Sequence, residues 1–329
     1  MSRAQLTSTV EQNGGGVISP IAAGKNFLAN GNFDWWQRGT SFTSSGYTAD
    51  RWYASIGGTT TVSQETSVVP SGSTYSLKWT TGASASYAEM AQAFEAADVN
   101  AMAGKTITFS GLVRAQASFS GSIFIRIQTN TTANTQTGGA WTTAVTATVT
   151  PSSSGWTSYS ATYAVPSGTA GLRVYIAVGA AQASGTGLYF AQQQLEVGSV
   201  ATPFSRAGGT FQGELALCQR YYYRWYPGST YAYFANGIAT SSTNANFLIP
   251  IPVTMRTTPS TSLDYSGCRV TDRVSVFSAV TAMSVFAGTE QGNIPALSVS
   301  VASGLTQYRP VWIGANGSTG DYIGVSAEL

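Results

Sequence analysis

The stretch Thr106-Ile-Thr-Phe-Ser-Gly-Leu-Val-Arg114 alternates apolar and polar residues with a period of two. Successive side chains of a β-strand point to opposite faces, so this pattern is typical of a strand with one buried face. The same alternation recurs in residues 122–128 and 172–178, and in shorter segments that Gly, Ser and Thr clusters separate. Many such segments with turn residues between them predict an all-β fold, either a sandwich or a barrel.

The chain divides into four parts along its length. Residues 1–24 contain three consecutive glycines and little periodicity, which predicts a flexible arm of the kind used for attachment. Residues 25–206 and 227–329 both carry the strand pattern, and we expect the second of these to form a smaller β-sandwich at the C-terminal tip. Residues 207–226 combine helix formers with an aromatic run, which predicts a short helical connector leading into a strand.

The composition argues against several classes of function. Only 9% of the 329 residues are charged, and the net charge is +2, so we expect no sequence-independent binding to nucleic acid. The chain has no histidine, which removes the commonest general base and the usual partner of a catalytic Ser or Cys. Cys218 and Cys268 lack metal-site spacing and are expected to be free.

The sequence shows no signal for secretion or membrane insertion. Its first residues carry no apolar h-region, and no run of about 18 apolar residues occurs anywhere in it. We therefore expect the protein to be synthesised in the cytoplasm and not to insert into a membrane.

Two segments far apart in the sequence resemble parts of one known fold. Asn26-Phe-Leu-Ala-Asn-Gly-Asn-Phe-Asp34 and Gln194-Leu-Glu-Val-Gly-Ser-Val-Ala-Thr-Pro-Phe204 look like the opening and closing strands of jelly rolls similar to carbohydrate-binding modules. The resemblance implies that residues 25–206 form such a jelly roll.

Further segments resemble the version of this fold found in bacteriophage virions. Trp36-Gln-Arg-Gly-Thr-Ser-Phe-Thr43 and Tyr47-Thr-Ala-Asp-Arg-Trp52 are similar to segments of phage and prophage tail-fibre proteins. In those proteins a segment like Gly213-Glu-Leu-Ala-Leu-Cys-Gln-Arg-Tyr-Tyr222 often follows the jelly roll. The resemblance spans residues 26–224, whereas the remainder of the chain carries no motif that we can assign.

The resemblance implies a tail-fibre or receptor-binding protein in the tail of a virion. Such a protein is frequently a homotrimer, joins other tail or baseplate proteins through its N-terminal arm, and attaches to host surface polysaccharide. Calcium is common in related modules, and Asp34, Asp50 and Glu196 could approach one another if the fold joins the first and last strands. Because Ca²⁺ takes six to eight oxygen ligands, backbone carbonyls would have to complete such a site. No other cofactor is expected.

The aromatic residues of the N-terminal region admit two interpretations. Trp36, Trp52 and Tyr53 could form a platform for a sugar ring, with neighbouring polar groups fixing its hydroxyls. Alternatively, they build the scaffold, which we favour, because adjacent residues of a strand face opposite ways and one of Trp35 and Trp36 must then face the core.

The C-terminal half holds two further groups of aromatic residues. The run Tyr221, Tyr222, Tyr223, Trp225 and Tyr226 has more aromatic area than a small exposed element should carry, so it forms either a subunit interface or a contact within one chain. Binding residues usually lie on loops of a rigid scaffold. We therefore also expect glycan contacts at Tyr231, Tyr233, Tyr265 and Trp312.

No pair of acids is nominated for catalysis. Glycoside hydrolysis needs two carboxyl groups about 5 to 9.5 Å apart, and the acidic residues of this chain are scattered over different elements. They include Glu89, Glu95, Asp98, Glu196, Glu214, Asp264, Asp272 and Glu290. We expect a protein that is not an enzyme, with a polysaccharide depolymerase as the catalytic alternative. A structural head-decoration or baseplate component without receptor contact is the alternative from another class.

Overall fold

The structure of the protein is a computed structural model, which describes residues 25–82, 88–178, 182–259, 263–274, 277–285 and 295–329. The predicted N-terminal arm lies outside the described residues. Within them, no helix is long and apolar enough to cross a membrane.

The described residues form strands with two short helices, α1 (Ala96–Met102) and α2 (Phe211–Gln219). The strands of the N-terminal region are β1 (Ser41–Phe42), β2 (Gly46–Tyr47), β3 (Tyr53–Ile56), β4 (Thr61–Glu65), β5 (Ser76–Thr80), β6 (Ala88–Ala93), β7 (Thr106–Ala115), β8 (Ile123–Asn130), β9 (Thr142–Val149), β10 (Thr157–Ala164), β11 (Gly171–Val178) and β12 (Gly187–Val197). Those of the C-terminal region are β13 (Tyr222–Trp225), β14 (Tyr233–Ala239), β15 (Asn244–Leu248), β16 (Asp264–Ser266), β17 (Cys268–Thr271), β18 (Phe277–Val285), β19 (Ala296–Val301), β20 (Pro310–Ala315) and β21 (Tyr322–Ser326). The all-β class is confirmed.

Strands β1 to β12 form two six-stranded antiparallel sheets that pack against each other. Sheet A has the order β1-β4-β5-β12-β7-β10, and sheet B has the order β2-β3-β6-β11-β8-β9. One cluster of buried apolar residues lies between them and includes Trp79 and Phe190 from sheet A and Ile125 and Val174 from sheet B. This is the predicted jelly-roll sandwich. Helix α1, which the sequence analysis missed, contributes Val99 to the same core.

The stretch that predicts the fold is β7, which pairs with β10 on one side and β12 on the other. Its apolar residues Ile107, Phe109 and Val113 lie in the core, as the alternation predicts. The opposite face of the strand is covered as well, because the Thr108 hydroxyl donates a hydrogen bond of 2.8 Å to the carbonyl of Gly198.

The opening and closing segments of the sandwich hold each other through one buried side chain. The Asn26 amide oxygen accepts hydrogen bonds from the backbone N–H groups of Leu28 at 2.9 Å and Leu195 at 3.0 Å, and its nitrogen donates to the carbonyl of Ser205 at 3.0 Å. A backbone hydrogen bond of 2.8 Å from Phe27 to Leu195 adds to this contact. Residues 26–34 and 194–204, the two segments that resemble the opening and closing strands of a jelly roll, are therefore neighbours in the fold.

A bulge interrupts β12 beside the opening segment. The pairing with β7 shifts between Ala191 and Gln194, and Gln192 adopts a left-handed conformation with φ of 54°. The Gln193 N–H donates to the carbonyl of Gly31 at 2.7 Å, and a Cβ at Gly31 would lie 2.1 Å from the Gln193 carbonyl oxygen. Only glycine fits this approach of two backbones.

Helix α2 begins where the connector was predicted to be helical and joins the sandwich through its first turn. The Thr210 hydroxyl caps it by accepting a hydrogen bond of 3.0 Å from the N–H of Gly213. The buried Glu214 carboxylate accepts hydrogen bonds from the backbone N–H groups of Asn30 and Gly208, and burial raises its pKa. Cys218 of the same helix is buried and free, as is Cys268 on β17.

The C-terminal region is all β, but its main sheet differs from the expected sandwich. Strands β14, β15, β19, β18, β17 and β20 close into a barrel in that order, with Phe247, Val299 and Ile313 in its core. Because the barrel is closed, it has no edge strand with unpaired backbone N–H and C=O groups. A separate sheet of order β13-β21-β16 lies beside the barrel and includes the C-terminal strand.

The end of the chain joins the barrel region to the sandwich. The Glu328 carboxylate forms salt bridges with Arg51 and, at 3.2 Å, with Arg38. Arg256 donates to the carbonyls of Ala327 at 2.8 Å and Glu328 at 2.9 Å, which fixes the backbone of this end. We refer to these contacts as the junction.

Candidate functional site

The face of sheet B that points away from the core carries aromatic and charged side chains. Val174 and Ile176 on β11 lie in the core, so the intervening Tyr175 and the preceding Arg173 face outward. Residues paired across antiparallel strands share a face, so the register extends this outer row over neighbouring strands. The row runs from β3 to β9 through Tyr53, Ala91, Tyr175, Arg126 and Thr146.

A groove of about 260 Å³ opens on this outer face. Strands β3, β6 and β11 supply its floor, and residues 131–141, which connect β8 to β9, form one wall. Its lining includes the rings of Tyr53, Trp141 and Tyr175 and the polar side chains of Ser55, Glu89, Gln136, Thr137 and Arg173. We call this site the groove.

Arg173 connects the wall of the groove to its floor. Its guanidinium carbon lies 4.3 Å from the centre of the Trp141 ring and 5.2 Å from that of Tyr175. Its Nε donates to Gln128 Oε1 at 2.7 Å, and Nη1 donates to the carbonyl of Gln136 at 3.0 Å. Burial lowers the pKa of Arg173 to about 10, so the group remains charged at neutral pH. These contacts fix the position of the Trp141 ring.

Glu89 supplies the negative charge of the groove. Burial raises the pKa of the Tyr175 phenol, and a hydrogen bond and the charge of Glu89 raise it further. The phenol therefore stays protonated and donates toward the carboxylate. Arg173 and Glu89 give the groove both a donor fork and an acceptor, which is the combination that hydroxyl groups on a ligand can satisfy.

Two side-chain donors at the wall have no acceptor in the part of the chain that the structure describes. The Gln136 side chain is 1% exposed, and its oxygen accepts a hydrogen bond of 2.8 Å from the N–H of Ala93, which assigns the amide orientation. Its Nε2 atom has no acceptor among the described residues, and neither does Nε1 of Trp141. A buried donor without a partner costs free energy, so both atoms favour a ligand oxygen at the groove.

Among the principal residues of the groove, only Tyr53 belongs to the binding residues expected from the sequence. Trp141 and Gln136 lie on a connection without periodicity, and Glu89, Arg173 and Tyr175 lie on strands that pair only in the folded chain. The sequence holds one indication of the groove. The outward positions of residues 172–178 carry Arg and Tyr, whereas the exposed strand segment 142–149 carries mainly Thr.

Of the two interpretations of Trp36, Trp52 and Tyr53, the structure agrees with the scaffold for the two tryptophans. Trp52 is fully buried, its Nε1 donates to the carbonyl of Asn30 at 3.1 Å, and its ring packs against Phe33. Trp36 is buried as well, and its Nε1 donates to the carbonyl of Phe33 at 2.7 Å. Neither ring presents a face to a sugar, so both belong to the scaffold. Only Tyr53 of this group lines the groove.

The three acids proposed for calcium hold separate sets of partners. Asp34 pairs with Arg206 at 2.8 Å. Asp50 accepts hydrogen bonds from the backbone and side-chain nitrogens of Gln37 at 3.0 and 2.8 Å. Glu196 accepts from the N–H and hydroxyl of Thr202 at 2.9 and 2.6 Å, and from the amide of Gln194 at 2.8 Å. The described residues contain no cluster of three potential ligands, so these three carboxylates do not fit one ion.

The aromatic run makes contacts within one chain, as the second of the two alternatives for it requires. The Tyr221 hydroxyl donates to Glu95, and that of Tyr222 donates to Asp264 at 2.7 Å; both rings are buried. Tyr223 and Trp225 pack edge to face on β13, with ring centres 4.8 Å apart. Tyr226 is half exposed, and its hydroxyl donates to the carbonyl of Gln37.

The aromatic residues predicted on the C-terminal region lie apart from the groove. Tyr231 and Tyr233 are exposed, and Trp312 is partly buried on the outer face of the barrel. Tyr265 instead packs against the barrel core from β16. The structure thus brings Tyr231, Tyr233 and Trp312 to one surface and separates Tyr265 from them.

No protein-family model matches the sequence, and no curated protein matches it. Solved structures do match part of the fold. The C-terminal family 22 carbohydrate-binding module of Clostridium thermocellum Xyn10B is 18% identical with a TM-score of 0.36, covering 55% of this chain and 99% of that one. A structure described as "CBM4 structure and function" is 18% identical with a TM-score of 0.34, covering 51% of this chain and 98% of that one.

A phage protein is also among the matched structures. Tailspike protein 4 of bacteriophage CBA120, in its enzymatically active domain, is 14% identical with a TM-score of 0.36. The match covers 53% of this chain and only 21% of that one, so it concerns a small part of the tailspike. At these identities and scores the comparisons describe a likeness of fold between part of this chain and carbohydrate-binding modules.

Proposed function

We propose that the protein binds a glycan in the groove on sheet B. The observation that carries the proposal is the position of the partly buried Tyr53 and Trp141 rings beside two buried donors, at Gln136 and Trp141, that find no acceptor among the described residues. A pyranose has apolar C–H faces that pack on aromatic rings and hydroxyls at its edge that accept and donate hydrogen bonds. The groove supplies both kinds of contact side by side.

We propose further that the groove binds the glycan without catalysing its hydrolysis. Glu89 is the one carboxylate that lines the described groove. Both mechanisms of glycoside hydrolysis by two carboxyl groups need a second acid near the scissile bond. The chemistry of the groove therefore supports recognition, and the depolymerase alternative would need a second site.

We also propose that the glycan belongs to a host cell surface and that the protein acts in a phage tail as a homotrimer. These parts rest on the sequence resemblance of residues 26–224. Immunogold labelling of particles separates this role from that of a head-decoration or baseplate component, because the gold marks whether the protein lies on the tail fibre, the head or the baseplate. Light scattering of the purified protein tests the trimer, because a monomeric mass contradicts it.

Affinity electrophoresis tests glycan binding. The full chain is run through gels that contain xylan, galactomannan, mixed-linkage glucan or bacterial O-polysaccharide, beside the variants Trp141→Ala and Trp156→Ala. Trp156 is also partly buried but lies outside the groove, so it serves as the matched control. We expect at least one polymer to retard the wild type and Trp156→Ala but not Trp141→Ala. Retardation by none of the polymers, or equal retardation of all three proteins, would contradict the proposal.

A further inference from the structure

The outer face of the barrel carries a second group of aromatic and charged residues. Val270 on β17 and Ile313 on β20 lie in the barrel core, so their neighbours Arg269 and Trp312 face outward. The register pairs Thr271 with Trp312 on one side and with Phe277 on the other. We call this surface the barrel patch, and its principal members are Tyr231, Tyr233, Arg269, Arg273, Phe277 and Trp312.

The aromatic members of the barrel patch are exposed to an unusual degree. Tyr231 is 56% exposed, Tyr233 39% and Phe277 60%. A ring that stays exposed to solvent contributes little burial of apolar surface to the stability of the fold. A group of exposed apolar side chains is characteristic of a binding surface. The rings lie on β14 or just before it, on β18 and on β20, so a rigid sheet holds them in place.

Each of two arginines joins two of these rings. The guanidinium carbon of Arg269 lies 4.6 Å from the ring centre of Tyr231 and 5.2 Å from that of Phe277. That of Arg273 lies 5.3 Å from Tyr233 and 5.7 Å from Trp312. These distances fall within the range of cation–π contacts. A guanidinium held against rings keeps a planar set of donors for an oxyanion.

Arg273 adopts a conformation that residues other than glycine seldom take. Its φ is 63°, and its backbone N–H donates to the Thr271 hydroxyl at 2.8 Å. Such a conformation is strained for a residue with a Cβ and occurs often at ligand-binding positions. Here it directs the chain out of β17 so that the side chain reaches Tyr233 and Trp312.

The barrel patch has an excess of positive charge. Among the described residues, neither Arg269 nor Arg273 lies within salt-bridge distance of a carboxylate. The nearby Asp272 carboxylate faces Arg309 at 3.4 Å and also accepts a hydrogen bond from the N–H of Val274. In contrast to the groove, where Glu89 accompanies Arg173, this surface offers two cations without a matching anion.

We propose that the barrel patch binds an acidic polysaccharide, as a site separate from the groove. Uronate carboxylates or sulfates of such a polymer match the donors of Arg269 and Arg273, and its sugar rings match the exposed faces of Tyr231, Tyr233 and Phe277. Arg269 and Arg273, which the rings hold in place, can pair with two anionic groups of a polysaccharide that carries one charge per sugar or per disaccharide. Binding to nucleic acid is less well matched, because it uses a longer series of cations along the phosphates.

The test uses the full chain and two polymers with one backbone. Polygalacturonate carries a carboxylate on each sugar, whereas its methyl ester is neutral. Isothermal titration at about 50 mM and about 200 mM salt measures binding of each polymer to the wild type and to Arg269→Gln/Arg273→Gln. The control Lys105→Gln/Arg114→Gln removes two positive charges from the sandwich instead. The groove variant Trp141→Ala and a single-stranded oligothymidylate complete the set.

We expect polygalacturonate to bind the wild type, with weaker binding at the higher salt, and the methyl ester to bind much less. The double arginine variant should lose about tenfold in affinity, whereas the charge control and Trp141→Ala should each stay within about twofold of the wild type. Absence of binding to polygalacturonate, equal binding of the ester, or an unaffected double arginine variant would overturn the proposal. Tighter binding of the oligothymidylate through the same arginines would also overturn it, in favour of nucleic acid. Loss of binding only in Trp141→Ala would assign the polymer to the groove.

Discussion

The guanidinium carbon of Arg51 lies 3.5 Å from the centre of the Tyr221 ring, and the same guanidinium forms a salt bridge with Glu328. Arg51 precedes the sandwich strand β3, Tyr221 precedes β13, and Glu328 follows the last strand. One buried cation therefore connects three distant parts of the sequence. The aromatic run and the C-terminus are used to hold the barrel region against the sandwich, which explains why so many rings occur in this short segment.

The junction predicts a large effect from the loss of one carboxylate. Glu328→Ala leaves Arg51 buried without its anion, and we expect the free energy of unfolding to fall by about 3 kcal/mol. Arg309→Ala breaks a longer pair of 3.4 Å in which the arginine is exposed, and the Asp272 carboxylate keeps its hydrogen bond from Val274, so the change should cost less than about 1 kcal/mol. Urea titration followed by tryptophan fluorescence measures both. Equal small losses would show that the junction contributes little to stability.

Asp50 predicts a pH dependence of stability. Burial raises its pKa from 3.8 to about 6, against the opposing charge of Arg38. The folded state therefore binds a proton that the unfolded state releases, so this group stabilises the fold below pH 4 and loses that contribution as the pH rises through 6. The loss amounts to about 3 kcal/mol for a shift of this size.

The variant Asp50→Asn isolates this effect, because its side chain cannot titrate. Between pH 4 and pH 6 the stability of the wild type should fall relative to that of the variant, and above about pH 7 the difference should be constant. Thermal unfolding of both proteins across this range gives the measurement. A difference that does not change with pH would contradict the raised pKa.

Gly31 should be intolerant of a methyl group. A Cβ at this position would lie 2.1 Å from the Gln193 carbonyl oxygen, so Gly31→Ala must displace the β12 bulge. We expect a loss of about 2 kcal/mol or more, because the neighbouring atoms belong to a backbone that packing fixes. Gly155→Ala is the matched control, since a Cβ there meets nothing within 4 Å. Differential scanning calorimetry compares the two, and similar midpoints would refute the close approach.

The shape of the Arg173 side chain should matter for glycan binding. Arg173→Lys keeps the charge but loses the planar contact with Trp141 and the paired hydrogen bonds to Gln128 and Gln136. We expect about tenfold weaker binding of whichever polymer retards the wild type most strongly. Arg126→Lys, on the same face but outside the groove lining, should bind as the wild type does. Equal affinities of the two variants would argue against a role for Arg173.

Much of the fold can be read from local patterns. The alternation in residues 106–114 predicts a strand with Ile107 and Phe109 inward, and the structure agrees. The helix formers around Glu214 predict a helix, which lies at Phe211–Gln219. These predictions succeed because the period of side chains along one strand or helix depends only on neighbouring residues.

The candidate sites depended on pairing that no local pattern contains. Sequence reasoning grouped Trp36, Trp52 and Tyr53, which are close in the chain, yet only Tyr53 reaches the groove. Glu89, Trp141 and Arg173 meet there because the register aligns β6 with β11 and the 131–141 connection folds over them. The sequence by itself determined the all-β class, the helix around Glu214 and the inward face of its clearest strands. The tertiary structure alone decided which outward residues become neighbours, because strand order is set by contacts between residues far apart in the chain.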